Sequence, residues 1–137
     1  MKSIIVKAST SYEVIVGRNL ISQAGEYIKK VTKAEKVAVI TDDNVDKYYS
    51  EIVCKSLVSS GFSVCKFVFK HGEEQKSIAT LNSIYSFLVE NEITRSDCLI
   101  ALGGGVVGDI TGYASATYLR GIDFILSLIF LLTFAFQ

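Results

Sequence analysis

Three stretches of this chain carry residue types that could do chemistry together. The run Gly103-Gly104-Gly105-Val106-Val107-Gly108-Asp109 contains glycines at the spacing Gly103-x-Gly105-x-x-Gly108. Between a strand and a helix, that spacing permits a tight backbone turn and close approach to a pyrophosphate. The free N–H groups and positive dipole end of the helix then stabilise its charge. Asp42-Asp43-Asn44 offers oxygen acceptors, with Asp42 the acidic residue suited to a ribose. His71-Gly72-Glu73-Glu74-Gln75-Lys76 offers mixed charge on a polar loop. Ligands of open parallel sheets bind beyond the carboxyl ends of the strands, and each stretch follows a strand-like run.

Each stretch also has a plainer reading. A strand-to-helix turn can use glycine with no ligand, although three in succession exceed what a turn requires. The motif follows a late strand and its acidic partner lies upstream, both departures from the usual dinucleotide fingerprint. Asp and Asn are common helix caps, and Asn44 could simply cap the helix that follows. Glu73 and Lys76 could be a solvated pair worth little. Asp109 could merely complement a helix N-terminus. His71 reads as a loop residue rather than a ligand, and Tyr48, Tyr49, Tyr85 and Phe87 fit helical packing.

The elements that must position these residues follow from periodicity. Ile4-Ile5-Val6 and Tyr12-Glu13-Val14-Ile15-Val16, separated by Ala8-Ser9-Thr10-Ser11, predict a β-hairpin ending at Gly17. Asn19 is placed to cap a helix carrying Leu20, Ile21, Ala24, Tyr27, Ile28 and Val31. Lys36 to Thr41 is a continuous apolar run, as suits a parallel strand covered on both faces. A helix follows with Val45, Tyr48, Tyr49, Ile52, Val53 and Leu57, ending at Gly61. Phe62 to Phe69 predicts another strand. Ser77 then caps a helix with Ile78, Leu81, Ile84, Tyr85 and Leu88 on one face. Cys98 to Leu102 is a buried strand running into the glycines, and a helix carries Val106 to Tyr118. This alternation predicts a single α/β domain, a parallel sheet with flanking helices and an N-terminal β-hairpin.

Composition narrows the function classes. The chain has 137 residues, the size of one domain, is 50% hydrophobic and carries no net charge. A nucleic-acid footprint needs a basic excess, so no nucleic-acid partner is expected. One histidine, with no His-x-x-x-His or Cys-x-x-Cys spacing, leaves no expected metal ligands. Three scattered cysteines argue against a disulfide framework and for a reducing compartment. The N-terminal apolar run is too short for a signal peptide, so a cytoplasmic location is expected. Phe124 to Phe136 has no charged side chain, yet is shorter than the ~20 residues of a membrane-spanning helix. It lacks flanking basic residues too, so no membrane partner is expected and an exposed stretch of this kind would favour aggregation.

The run from Gly103 through Asp109-Ile110-Thr111-Gly112-Tyr113-Ala114-Ser115-Ala116-Thr117-Tyr118-Leu119-Arg120 to Gly121 resembles the signature of 3-dehydroquinate synthases. Thr41-Asp42-Asp43-Asn44-Val45 resembles that family's T-D-x-N-V segment, and Gly72-Glu73-Glu74-Gln75-Lys76 its G-E-x-x-K loop. All three occur in the family's order, and the resemblance covers about Met1 to Phe124.

The resemblance implies a Rossmann-like domain that binds NAD. Asp42, Asn44, Glu73 and Lys76 match positions that meet nucleotide polar groups. Gly104, Gly105 and Asp109 match the pyrophosphate turn and its surroundings. His71, Gly72, Glu74, Gln75, Val106, Val107 and Gly108 complete the expected cofactor-binding set. Arg120 matches an arginine that helps bind the substrate phosphate, a role suited to its charged, forked guanidinium. The complete family enzyme is a lyase of the shikimate pathway that converts 3-deoxy-arabino-heptulosonate 7-phosphate to 3-dehydroquinate and phosphate. It uses NAD and a divalent metal, zinc or cobalt, and is expected to be a homodimer. A deoxyinosose synthase-like cyclase and a glycerol dehydrogenase-like nucleotide-binding domain are the alternatives.

After Phe124-Ile125 the family's Pro-Thr-Thr and lysines are absent, as is its C-terminal helical domain with the metal ligands. The expectation is therefore a nucleotide-binding domain over residues 1–125 and an apolar, non-family tail over 126–137, the product of a truncated or frameshifted gene. No catalytic residue is expected in such a fragment.

Overall fold

The computed structural model describes residues 2–7, 11–17, 20–128 and 131–135. Four parallel strands form its centre: β3 (Lys36–Asp42), β4 (Ser63–Phe69), β5 (Cys98–Leu102) and β6 (Asp123–Leu128). The N-terminal hairpin, β1 (Lys2–Lys7) and β2 (Ser11–Val16), joins them through β7 (Leu131–Ala135). All seven strands make one sheet in the order β1-β2-β7-β6-β5-β3-β4. The predicted hairpin is therefore present, although its connecting residues 8–10 and the proposed cap Asn19 lie outside the described residues.

The parallel strands form where the sequence is apolar on both faces. Val37, Ala38, Val39 and Ile40 in β3 and every residue of β5 are 0% exposed. Alternate side chains enter different cores. Val37, Val39, Cys98, Ile100 and Leu102 pack with Leu20, Ala24, Ile28, Val53 and Leu57 on one side of the sheet. Ala38, Ile40, Leu99 and Ala101 pack with Ile84, Leu88, Ile110 and Ala114 on the other. Burying one such aliphatic side chain stabilises the fold by about 1.5–3 kcal/mol. Layering on two faces is the expected answer to strands with no polar side.

Helices α1 (Ala24–Val31), α2 (Asp43–Val45) and α3 (Glu51–Ser59) belong to the first layer, and α4 (Ile78–Glu90) and α5 (Gly105–Thr117) to the second. Three details differ from the periodicity reading. Leu20–Gln23 is a 3-10 turn, so α1 begins only at Ala24. Asp46–Ser50 is a π-helical segment between α2 and α3. Ile78, placed on the buried face of α4 by its spacing, is 77% exposed, because it lies in the first turn beyond the edge of the sheet. Ser77 does cap α4, accepting from the Thr80 N–H at 3.2 Å.

Of the stretch expected to be an apolar, non-family tail over 126–137, the described residues 126–128 and 131–135 are in the sheet. Leu126 and Ser127 continue β6 beside Ala101 and Leu102, and β7 bridges β6 to β2. Two apolar strands between others satisfy each other's backbone groups, which an exposed tail could not do. Among the described residues no helix is long and apolar enough to cross a membrane.

Helices α1 and α3 of the first layer meet at Gly25. Its N–H donates to Ser56 Oγ at 2.9 Å, and a Cβ added there would run into the Ser56 carbonyl. Gly25→Ala should therefore lower stability by about 1–3 kcal/mol, read as a shift in the urea midpoint. An unchanged midpoint would show that α1 and α3 separate at no cost.

Candidate functional site

The carboxyl ends of β3, β4 and β5 lie at one edge of the sheet. Register fixes this: Thr41 is opposite Leu102, and Asp42 opposite Phe69. Thr41 Oγ1, fully buried, donates to the Leu102 carbonyl at 2.7 Å and ties the two central strand ends together. The Asp42–Asn44 turn, the 71–76 loop and the glycine run consequently emerge side by side.

At the glycine run, Gly103 has φ +153, a conformation that L side chains rarely adopt, and its N–H donates to the Ser127 carbonyl at 3.1 Å. Gly104 is the N-cap of α5 and provides no side-chain hydrogen bond. The first intrahelical bond runs from the Gly108 N–H to the Gly104 carbonyl at 3.0 Å. The N–H groups of Gly105, Val106 and Val107 precede that bond and have no acceptor within the helix. Gly104 and Gly105 are exposed, and a Cβ on either would meet nothing within 4 Å. The surface is open and rich in donors, as an anion requires.

Not every residue of the motif faces that opening. Val107 is fully buried as a whole residue, so it packs in the core and does not line the opening. Gly108 serves packing, since a Cβ there would come within 2.9 Å of Leu126 Cδ1 on β6. Asp109 is exposed and pairs with Lys76 at 2.7 Å; Lys76 also reaches Glu73 at 3.5 Å. The Asp109 hydrogen bond is the main cause holding the Lys76 ammonium above its ordinary pKa. Beside this pair lies an open cleft of about 430 Å³ lined by Lys76, Ser77, Ile78, Leu81, Asp109, Ile110 and Tyr113.

At the β3 end, Asp42 rather than Asn44 caps the following helix: Asp42 Oδ1 accepts from the Val45 N–H at 2.9 Å. The capping oxygen must sit ahead of the first turn, and Asn44 is already inside α2. Asn44 is exposed. In the 71–76 loop, Gly72 has φ +121, Glu73 and Glu74 are exposed, and Gln75 accepts from Thr80 Oγ1 at 3.2 Å. His71 is bound to Asp43, a residue that spacing did not single out. Its N–H donates to Asp43 Oδ1 at 2.9 Å, and its ring Nδ1 lies 2.7 Å from the same oxygen. These hydrogen bonds hold the Asp43 carboxyl below its ordinary pKa.

The residues matched by a family model for the N-terminal part of 3-dehydroquinate synthase are 66–133. The 3-dehydroquinate synthase of Streptococcus suis is 45% identical over 91% of this chain, and that of Clostridium acetobutylicum 50% identical over 84%. The chain belongs to the 3-dehydroquinate synthase family. It spans 35% and 32% of the length of those two relatives. Its fold is similar to that of 2-deoxy-scyllo-inosose synthase, with a TM-score of 0.82 at 21% identity, covering 91% of this chain and 35% of that one. The same enzyme solved with carbaglucose-6-phosphate, NAD+ and Co2+ gives 0.77 at 22% identity, covering 93% and 34%.

One residue taken from the family signature is not brought to this edge. Helix α5 runs antiparallel to the strands, so it carries the chain back across about 20 Å to their amino ends. Arg120 sits there, in the left-handed region at φ 68, and lines a separate cavity of about 560 Å³ with Arg95, Gly121, Ile122 and Asp123. Arg95 carried no motif signal and was not anticipated. Among the described residues no group of three or more His, Cys, Asp or Glu could hold a metal ion.

The perturbed groups set a pH dependence with opposite signs. Because Lys76 is raised, its pair with Asp109 contributes fully below the ordinary lysine pKa and fades as pH rises through the raised value. Asp43 is depressed, so its contribution is present above the ordinary aspartate pKa and is lost as pH falls through the lower one. Melting curves of the chain and its Asp109→Asn variant should differ near neutrality and converge once the pH has risen through the raised Lys76 value. A gap that persists in strong alkali would mean that Asp109 acts through something other than Lys76.

Proposed function

We propose that this chain is the nucleotide-binding part of a 3-dehydroquinate synthase and that it holds NAD across the carboxyl edge of β3, β4 and β5. The observation that carries the reading is the open, uncapped amino end of α5 beside two exposed glycines. That surface fits a diphosphate in charge and in the room it leaves for close backbone approach. Asp42 keeps its second carboxylate oxygen for a ribose hydroxyl, and Asn44 lies exposed two residues further on. Lys76, Glu73 and Asp109 form the side of the site next to the apolar cleft, where a flat ring can lie against Ile78, Ile110 and Tyr113.

When bound, NAD supplies hydride acceptance and return, which the family reaction on 3-deoxy-arabino-heptulosonate 7-phosphate requires. The chain's own residues bind and orient the nucleotide. The residues described do not fit the family's divalent metal, and no step through it is assigned to them. Arg120 lies at the far edge and cannot reach the same chain's cleft. If it meets substrate phosphate, it must do so in a neighbouring subunit, consistent with a homodimeric family enzyme. Identity of 45–50% to dehydroquinate synthases favours this reading over a deoxyinosose synthase-like or glycerol dehydrogenase-like one.

Titration of the purified chain with NAD tests the reading. Saturable binding is expected, and Gly105→Val should weaken it by about tenfold or more. The free protein leaves Gly105 open, so the variant should melt at the wild-type temperature while its side chain occupies the diphosphate's place. Equal binding by the two proteins, or no saturable binding by either, would remove the support for a nucleotide site.

A further inference from the structure

The 71–76 loop leaves β4, which is the last strand of the sheet and has a neighbour on one side only. Pairing with β3 ends at Asp42 opposite Phe69. Beyond that point the loop's backbone bonds are local: the Gln75 N–H to the Gly72 carbonyl at 3.0 Å, the Lys76 N–H to the Glu73 carbonyl at 3.1 Å, and the Ser77 N–H to the Gln75 carbonyl at 2.8 Å. Local turns shape a loop but do not place it. Besides the bond from Thr80 on the following helix α4 to Gln75, two contacts to elements distant in sequence do that among the described residues. Lys76 is tied to Asp109 on α5 at 2.7 Å, and His71 is tied to Asp43 on the β3–α2 turn.

We propose that Asp43 is a positioning residue of the nucleotide site, fixing through His71 the start of the 71–76 loop so that Lys76 faces the cleft. The proposal rests on the nucleotide reading above. One carboxylate oxygen holds both the backbone N–H and the ring Nδ1 of His71, so the loop is fixed in place and in rotation at its first residue. Asp43 follows Asp42, which caps α2, so the anchor sits on a turn that is itself held. The three segments at the sheet edge are thereby joined in series: β3–α2 turn, loop, α5.

A charge effect makes the opposite prediction. A carboxylate near a diphosphate repels it, so if Asp43 acted only through its charge, removing that charge would tighten binding. Positioning needs the acceptor oxygen and not the charge. Asp43→Ala should therefore weaken NAD binding by about tenfold, the scale of one lost hydrogen bond to a charged group. Asp43→Asn, which keeps an acceptor at the same place, should stay within about twofold of wild type on that same scale.

His71 is the single histidine of the chain, so its imidazole signals in a nuclear magnetic resonance spectrum report on the loop without interference. In the free protein the hydrogen-bonded Nδ1 signature should be present in wild type and Asp43→Asn and absent in Asp43→Ala. Addition of NAD should shift the imidazole signals of wild type. If Asp43→Ala fails to fold, His71→Ala removes the ring half of the anchor and should weaken NAD binding in the same direction, wild-type affinity there counting against the role. Wild-type affinity in Asp43→Ala, or equal losses in the Ala and Asn variants, would overturn the positioning role while leaving the nucleotide site intact. Absence of NAD binding by wild type would defeat the nucleotide reading and this inference with it.

Discussion

The parallel pairing of β3 with β5, buried on both faces, is the constraint on which the site depends. Val37 to Thr41 lie opposite Cys98 to Leu102 with no slip, and every one of these residues is inaccessible. A shift by one residue would exchange the two cores and expose neither set to a layer that fits it. With the register fixed, the loops after the strands have no choice of edge. The Thr41 hydroxyl, bonded to the Leu102 carbonyl, closes this arrangement one residue below Asp42 and Gly103. Positions far apart in the chain become neighbours because two short apolar runs can be buried in only one way.

Much of this was legible in the residue pattern because the strongest signals were local. Lys36 to Thr41 and Cys98 to Leu102 are uninterrupted apolar runs, and β3 and β5 occupy them almost residue for residue. The glycine motif announced a strand-to-helix turn, and α5 starts at Gly105. What the pattern did not show depends on partners distant in sequence. The π-helical segment at Asp46–Ser50, the Asp43–His71 contact across 28 residues and the Gly25–Ser56 contact across 31 leave no periodic trace. Ile78 matched the apolar stripe of α4 yet is exposed, because spacing says which face a residue occupies and not whether a neighbour covers its turn. The apolar stretch from Leu126 onward lacked alternation or charge to mark it as strand. It found its place only because β2 and β6 leave a gap in the sheet that β7 fills.

The two ends of α5 lie at opposite edges of the sheet. Its amino end meets the glycines, and its carboxyl end leads to Leu119 and Arg120, both in the left-handed region at φ 48 and φ 68. Non-glycine residues adopt that conformation at a cost of about 1–3 kcal/mol each, so the surroundings must hold them. They do: the Gly121 N–H donates to the Tyr118 carbonyl at 2.9 Å, the Ile122 N–H to the Ser115 carbonyl at 2.8 Å, and the Tyr118 hydroxyl to the Ile93 carbonyl at 2.8 Å. The turn that presents Arg120 is thus built as firmly as the one that presents Gly105, but it faces away from the same chain's cleft.

The charges around the cleft make a further distinction between affinity and orientation. Lys76 already has Asp109 and Glu73 as partners, so an arriving phosphate does not find a free ammonium. Taking Lys76 from its carboxylates replaces one charged contact by another and also leaves Asp109 to be solvated afresh. The net gain from such an exchange between exposed groups is small. The amides of Gly105 and Val106 face a different balance. In the free chain they have no acceptor in the helix, and an anion placed there acquires bonds without breaking any within the protein. On the nucleotide reading proposed above, attraction for a diphosphate would come chiefly from the backbone at the start of α5, and Lys76 and Asp109 would act on which way round the bound molecule lies.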